Sequence, residues 1–228
     1  MQTLEFKVLD KGFVRLVDFM GGDQAVVQAA RVSLGQGSKG EEKDRQLIHY
    51  LLQHGHETPF EQSVFKFHVK CPIFVARQWF RHRFASYNEI SGRYTEMEDE
   101  FYVPARFRKQ LSKDYLYEDL DEDTNQFLQE RMTSAFQKSY RLYQVLLAKG
   151  VAKEQARIVL PLALYTQFYW TVNARSLMNF LRLRADVHAQ WEIRAYANVI
   201  IEIYHQKMPW CHEAFGKYCL QPPEQQEA

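Results

Sequence analysis

Phe65-Lys66-Phe67-His68-Val69-Lys70-Cys71-Pro72 is the stretch that decides the fold. Apolar side chains at 65, 67, 69 and 71 alternate with Lys66, His68 and Lys70, the two-residue period of a strand with one buried face. Cys71 falls on that face, where a thiol packs and is not a nucleophile. Pro72 then interrupts the run, and its fixed φ suits the first residue of a helix. Over 72–82 the period changes. Ile73, Val75, Ala76, Trp79 and Phe80 make a broad apolar face, while Arg77, Gln78, Arg81 and His82 take the other side. A half-buried strand turning at a proline into a short amphipathic helix predicts an α/β chain.

Towards the N-terminus, Leu4, Phe6 and Val8 alternate with Thr3, Glu5 and Lys7. Asp10-Lys11-Gly12 marks a turn, and Phe13 to Met20 reads as the returning strand. Val26, Ala29, Ala30 and Ser33 then recur at helical spacing, with Asp23 as the expected N-cap. A second helix is predicted over 41–54. Between the two, Gly35-Gln36-Gly37-Ser38-Lys39-Gly40 fits G-x-G-x-x-G. No strand precedes it, so the reading is an interhelix loop and not a dinucleotide turn. His54-Gly55-His56-Glu57 lacks the spacing that sets two imidazoles on one helix face, so no metal site is predicted there.

Towards the C-terminus, 100–104 reads as a short strand and 105–123 as a surface excursion without a period. A long helix is predicted over 124–149, ended by Gly150, and a short one over 153–160, stopped by Pro161. Tyr165 to Val172 is aromatic and β-branched, favouring a strand. A helix follows from Ser176, then a last long one over 188–207. Pro209-Trp210-Cys211-His212 reads as a packing corner, and 221–228 as a disordered tail. The fold expected is α/β (α+β), a mostly antiparallel central sheet flanked by helices, in one domain over 1–220.

The chain has 228 residues, a formal net charge of +1 and 46% apolar residues, which suits a globular domain with an ample core. So small a net charge argues against bulk electrostatic binding to nucleic acid or membrane. The three cysteines, Cys71, Cys211 and Cys219, form neither a disulfide framework nor a C-x-x-C pair. A reducing cytoplasm is the expected location. No N-terminal signal pattern and no bilayer-spanning run is read.

The stretch 81–94 stands apart: Arg81-His82-Arg83-Phe84-Ala85-Ser86-Tyr87-Asn88-Glu89-Ile90-Ser91-Gly92-Arg93-Tyr94. Burying so many polar groups is costly unless each finds a partner. A ligand rich in phosphate and amide groups supplies such partners, because guanidinium forks match phosphate oxygens two at a time. Ser91-Gly92 offers backbone N–H groups in a tight turn. Asn173, Arg175 and Asn179 form a second polar cluster at a strand-to-helix junction. It suits either a flavin or adenine edge, or plain capping and surface exposure. Arg157 sits among apolar neighbours, where a carboxylate partner at the core edge is the ordinary alternative.

The stretch fits R-H-R-x-x-S-x-x-x-x-S-x-R at every fixed position and resembles the signature of the flavin-dependent thymidylate synthases. Similarity continues through His54–Phe60 and from Arg157 to Trp191. The resemblance implies reductive methylation of dUMP to dTMP, with FAD as cofactor and NADPH and methylenetetrahydrofolate as co-substrates. It implies a homotetramer whose active sites are shared between subunits. For dUMP it implies Gln78, Arg81, Glu89, Ser91, Gly92, Arg93, Arg157 and Arg184. Arg184 is the main catalytic residue and Ser91 an orienting or activating contact. For FAD it implies Thr58, Arg81, His82, Arg83, Glu89, Asn173, Arg175 and Asn179, with His56 close by. Two readings of another class compete. A single-stranded nucleic-acid binder would stack bases on Phe84, Tyr87 and Tyr94. A non-catalytic nucleotide sensor would use the same phosphate cradle without turnover.

Overall fold

A computed structural model describes residues 4–111 and 117–220; the tail expected over 221–228 lies outside the described residues. The strands are β1 (Leu4–Val8), β2 (Gly12–Met20), β3 (Val64–Pro72), β4 (Ser86–Glu89), β5 (Arg108–Gln110), β6 (Tyr117–Asp119) and β7 (Tyr165–Asn173). Helices are α1 (Asp23–Val32), α2 (Glu41–Gln53), α3 (Ile73–Trp79), α4 (Glu122–Ala148), α5 (Lys153–Ala156), α6 (Ala174–Arg184), α7 (Trp191–Lys207) and α8 (Pro209–Tyr218). The main sheet has the order β1-β2-β3-β7-β4. The fold is α/β with an antiparallel sheet flanked by helices, as the periodicities imply. By internal contacts the chain divides into two compact units. Unit 1 is Met1–Val69, Gln78–Asn88 and Phe168–Ala228; unit 2 is Lys70–Arg77 and Glu89–Gln167.

In unit 1 the alternation of β2 and β3 sends Val14, Leu16, Phe65, Phe67 and Val69 to one face, all buried. Trp79 sits at the middle of the core, with ring centroids 4.8–5.8 Å from Phe168, Trp170, Phe180 and Tyr196. A buried aromatic side chain stabilises by about 1.5–3 kcal/mol, so this cluster fixes how α6 and α7 lie on β7. A polar pin completes the frame. Buried Ser63 donates through Oγ to the Gly22 carbonyl at 3.1 Å and accepts from its N–H at 3.0 Å. Its own carbonyl takes the Ala174 N–H at 2.8 Å, which sets the start of α6. Gly21 has φ +97°, and a Cβ there would meet Ser63 Oγ at 2.6 Å, so only glycine fits.

In unit 2 the core is Met97, Phe101, Tyr143, Ala156 and Leu164, with Phe136 and Tyr140 of α4 packed against it. Met97 is held at both ends of its backbone. Its N–H donates to the Tyr143 hydroxyl at 3.1 Å, and its carbonyl accepts from Tyr140 at 3.0 Å. That fixes the loop following Gly92.

Several expectations are corrected. Pro72 is the last residue of β3, and α3 ends at Trp79, short of His82. The stretch 100–104 is no strand: Phe101 makes a single isolated bridge to Leu164, and Pro104 has no N–H to extend it. The excursion over 105–123 holds the β5–β6 ribbon, with Arg108 opposite Asp119. Asp23 does not cap its own helix. Gly22 is the N-cap, and the Asp23 carboxylate accepts from the Trp210 and Cys211 N–H groups, both at 3.0 Å, at the start of α8. The corner at 209–212 therefore opens a helix. The last long helix starts at Trp191, not at His188.

Candidate active site

Unit 1 carries a groove of about 1800 Å³. One wall is the Arg81–Ala85 turn. The other is α6 and the residues after it, with Asn173, Arg175, Asn179, Arg184 and His188, and the end of α8 closes a third side. The turn is shaped by Tyr87, whose hydroxyl donates to the His82 carbonyl at 2.7 Å, while the His82 N–H reaches the Trp79 carbonyl at 3.0 Å. Burial pushes the Tyr87 phenol up, so it stays a donor.

Each α6 residue has a definite state. Asn173 caps the helix, its Oδ1 accepting from the Ser176 N–H at 2.9 Å. Arg175 is gripped by Glu61 at 2.6 Å and Glu57 at 3.2 Å, which raise its pKa. Asn179 accepts from Arg182 at 3.3 Å. Arg184 donates through Nε to Nε2 of His82 at 3.0 Å and through Nη2 to the Gln78 carbonyl at 3.3 Å. Burial, then the charges of Arg184 and Arg81, hold the His82 imidazole down at about 4, so it is neutral at pH 7. Burial and Arg81 likewise pull Arg184 below its ordinary value; a guanidinium so shifted is still charged. Arg81 and Arg83, both exposed, make no ion pair among the described residues.

Two expected members stand outside the groove walls. Thr58 is exposed at the start of a short 3₁₀ turn between Glu57 and Glu61. The Gln78 side chain donates to Gln190; only its carbonyl serves the site. Glu57 and Glu61 are the members that sequence reasoning missed. Their spacing of four within His56-Glu57-Thr58-Pro59-Phe60-Glu61 was a signal for one shared face.

The remaining residues belong to unit 2. Tyr94 and Thr95 donate their N–H groups to the Ser91 carbonyl, both at 3.0 Å, and Arg93 N–H lies 3.3 Å from Ser91 Oγ. Gly92 is buried: a Cβ there would meet Arg157 Cδ at 3.0 Å and Met97 Sδ at 3.2 Å. Arg93 pairs through Nε with Glu154 at 3.0 Å, both about half exposed. Arg157, just after α5, is exposed and makes no ion pair among the described residues, so the core-edge carboxylate partner is not what the fold supplies. Glu89 accepts from the Thr166 hydroxyl at 2.6 Å. Among the described residues no imidazole or carboxylate bonds to Ser91 Oγ. A serine without a base is not an activated nucleophile.

Guanidinium groups without carboxylate partners among the described residues, beside amides and the apolar Met178, Leu183 and Val187, give this α/β chain a groove whose chemistry suits an anionic ligand with an apolar part. The comparisons agree. The family model of the thymidylate synthase complementing proteins matches residues 15–210. The chain is 60% identical over 217 residues to the flavin-dependent thymidylate synthase of Thermosipho africanus, covering 94% of this chain and 95% of that one. It is 53% identical over 221 residues to that of Thermus thermophilus, covering 96% and 80%. Among solved structures, the UMP/dUMP methylase PolB of Streptomyces cacaoi bound with 5-Br UMP superposes with a TM-score of 0.86 at 38% identity, covering 95% and 99%. The chain belongs to the thymidylate synthase complementing protein family, the flavin-dependent thymidylate synthases.

Proposed function

We propose that this chain methylates dUMP reductively to dTMP in the cytoplasm, as one functional domain over 1–220 in a homotetramer whose active sites are shared between subunits. The observation that carries the reading is the set of guanidinium groups left without carboxylates: Arg81, Arg83 and Arg184 in one unit, Arg157 in the other. Surface arginines are ordinarily solvated or paired; four of them, two from the signature, one just after α5 and one at the end of α6, mark an anionic ligand.

The groove in unit 1 fits FAD by its donor set. Arg81 and Arg83 suit the pyrophosphate, the free amide edges of Asn173 and Asn179 suit ring or ribityl oxygens, and Arg175 is held ready by Glu57 and Glu61. When bound, FAD reduced by NADPH supplies the hydride, and methylenetetrahydrofolate supplies the carbon. The protein's part is positioning and charge. Arg93, Arg157 and the Ser91-Gly92 turn hold the phosphate dianion. Arg184 faces N3 and the neighbouring carbonyls of uracil and stabilises negative charge that collects there as carbon 5 reacts. Ser91 orients the pyrimidine. Glu89, Gln78, Thr58 and His82 complete the contacts with substrate and cofactor.

The test is an absorption spectrum with and without NADPH, followed by a dTMP assay. A yellow protein that NADPH bleaches and that releases dTMP from dUMP is expected. A colourless protein that instead shifts oligonucleotides at low salt overturns the reading.

Two smaller effects follow in unit 2. Glu154 competes with the phosphate for Arg93, and an exposed pair of this kind is worth about 0.2–1 kcal/mol. Glu154→Gln is therefore expected to tighten dUMP about two- to threefold, read by calorimetric titration. Gly92→Ala pushes a methyl against Arg157 Cδ and Met97 Sδ, displacing the guanidinium from its place. Overpacking costs about 1–3 kcal/mol, so the KM for dUMP is expected to rise about tenfold with kcat little changed.

A further inference from the structure

We infer that His82 is the positioning residue of Arg184, a neutral imidazole that aims the guanidinium without cancelling its charge. The inference rests on the proposal that Arg184 acts at the pyrimidine. It adds what holds Arg184 there, and in which protonation state.

The geometry is specific. Arg184 Nε–H points at His82 Nε2 across 3.0 Å, so this nitrogen is the acceptor. An imidazole accepting at Nε2 carries its proton at Nδ1, which fixes one tautomer. The ring has little freedom to turn. It meets the buried Phe180 ring edge-on at 4.9 Å and 68°, and the His82 backbone is tied at both N–H and carbonyl. The Gln78 carbonyl takes a second Arg184 donor at 3.3 Å. A guanidinium offers five N–H groups in a planar fork. With Nε–H and one Nη2–H engaged, the Nη1 pair and the other Nη2–H remain for a ligand.

Both acceptors are neutral, and among the described residues no carboxylate pairs with Arg184. This choice has a chemical consequence. A carboxylate at position 82 would aim the same edge but neutralise the cation, and a neutralised cation stabilises a developing anion poorly. The groups that act on the His82 ring are Arg184 from α6 and Arg81 from its own turn, both cationic, and together with burial they keep it uncharged to about pH 4. The neutral form works, so its contribution is present at neutral pH and is lost as the pH falls through that value.

Glutamine reaches as far as Nε2 and presents a neutral oxygen there, whereas asparagine stops at the level of Nδ1. His82→Gln, His82→Asn and His82→Glu, each prepared with flavin bound, separate the roles. We expect His82→Gln to restore most of the kcat that His82→Asn loses, each counted per bound flavin. His82→Asn and His82→Glu are expected to lose at least about 30-fold in kcat per bound flavin. Equal activity in His82→Asn and His82→Gln, or a loss that tracks missing flavin, overturns the proposal. Should the variants not fold, parent protein labelled with 15N-histidine decides. One of its eight imidazoles must stay a neutral Nδ1–H tautomer at pH 6 and show through-space contact with a guanidinium nitrogen. Absence of such an imidazole overturns the proposal. A parent protein that forms no dTMP would remove the functional reading while leaving that spectrum to stand.

Discussion

Arg184→Ala is expected to lower kcat for dTMP formation about 10²–10³-fold, the range for removing one preorganised charge-stabilising donor, while the purified protein keeps its flavin. The expectation follows from where the guanidinium sits. It is part-buried and, among the described residues, bonded to neutral acceptors alone, so no carboxylate offsets its charge. Its removal leaves His82 Nε2 and the Gln78 carbonyl able to bond to water, so the fold loses little. The proposed cofactor contacts from Arg81, Arg83, Asn173, Arg175 and Asn179 are untouched by the substitution. The flavin spectrum and single-turnover dTMP formation check both halves. Loss of flavin together with activity would move Arg184 from the pyrimidine to the cofactor.

The second large effect concerns stability. Asp44 of α2 is fully buried, and Arg31 of α1 meets it at 2.6 Å. Its carboxylate also accepts from the Ser38 hydroxyl at 2.5 Å and the Lys39 N–H at 3.2 Å. One side chain therefore holds Ser38 and Lys39 of the loop as well as Arg31. Asp44→Ala strands a buried guanidinium and two loop donors. Breaking a buried pair costs about 3–5 kcal/mol, and because Arg31 keeps 8% of its side chain exposed the loss is expected at the lower end, about 3 kcal/mol. A denaturant titration reads this as a lower midpoint with an unchanged slope. The pH dependence has a definite sign. Burial acts to raise the Asp44 pKa, but the bonds from Ser38, Lys39 and Arg31 outweigh it and leave it lowered. The stabilisation is thus complete above the ordinary aspartate value of about 3.9 and is lost as the pH falls through the depressed value. In Asp44→Ala that acid dependence should disappear.

Those two sites show how far the sequence could be read. The α/β class came from the strict alternation of Phe65 to Cys71, the helical spacing of Val26 to Ser33 in and just after α1, and the aromatic, β-branched make-up of Tyr165 to Val172 in β7. These periods persist because each element buries one face. The polar stretch at 81–94 was legible for the opposite reason, since it holds more polar groups than a core can satisfy. What stayed hidden was pairing over long sequence separation. Nothing in the sequence ties Arg175 to Glu57 and Glu61, or Arg184 to His82, because the chain between them sets their distance. Strand β4 was missed because an edge strand needs only one inward side chain, and Tyr87 alone carries no period. Asp23 misled in a different way. An aspartate before an apolar helical run caps that helix in most chains, but here Gly22 takes the position and the carboxylate serves α8 instead. The helix ends at Trp79 and Trp191 shifted by three residues, the scale on which tight turns compete with helical hydrogen bonds.

That carboxylate of Asp23 has a consequence for biosynthesis. Its two donors, Trp210 and Cys211, are made 187 and 188 residues after it, and unit 1 is drawn from sequence on both sides of 89–167. Synthesis is vectorial, so the Asp23 carboxylate of α1 meets these donors only after residue 211 has been added. Most of unit 2 comes from one continuous run, 89–167, and has all of those residues available much earlier. A chain cut before Trp210 therefore leaves the Asp23 carboxylate of unit 1 without either of these partners.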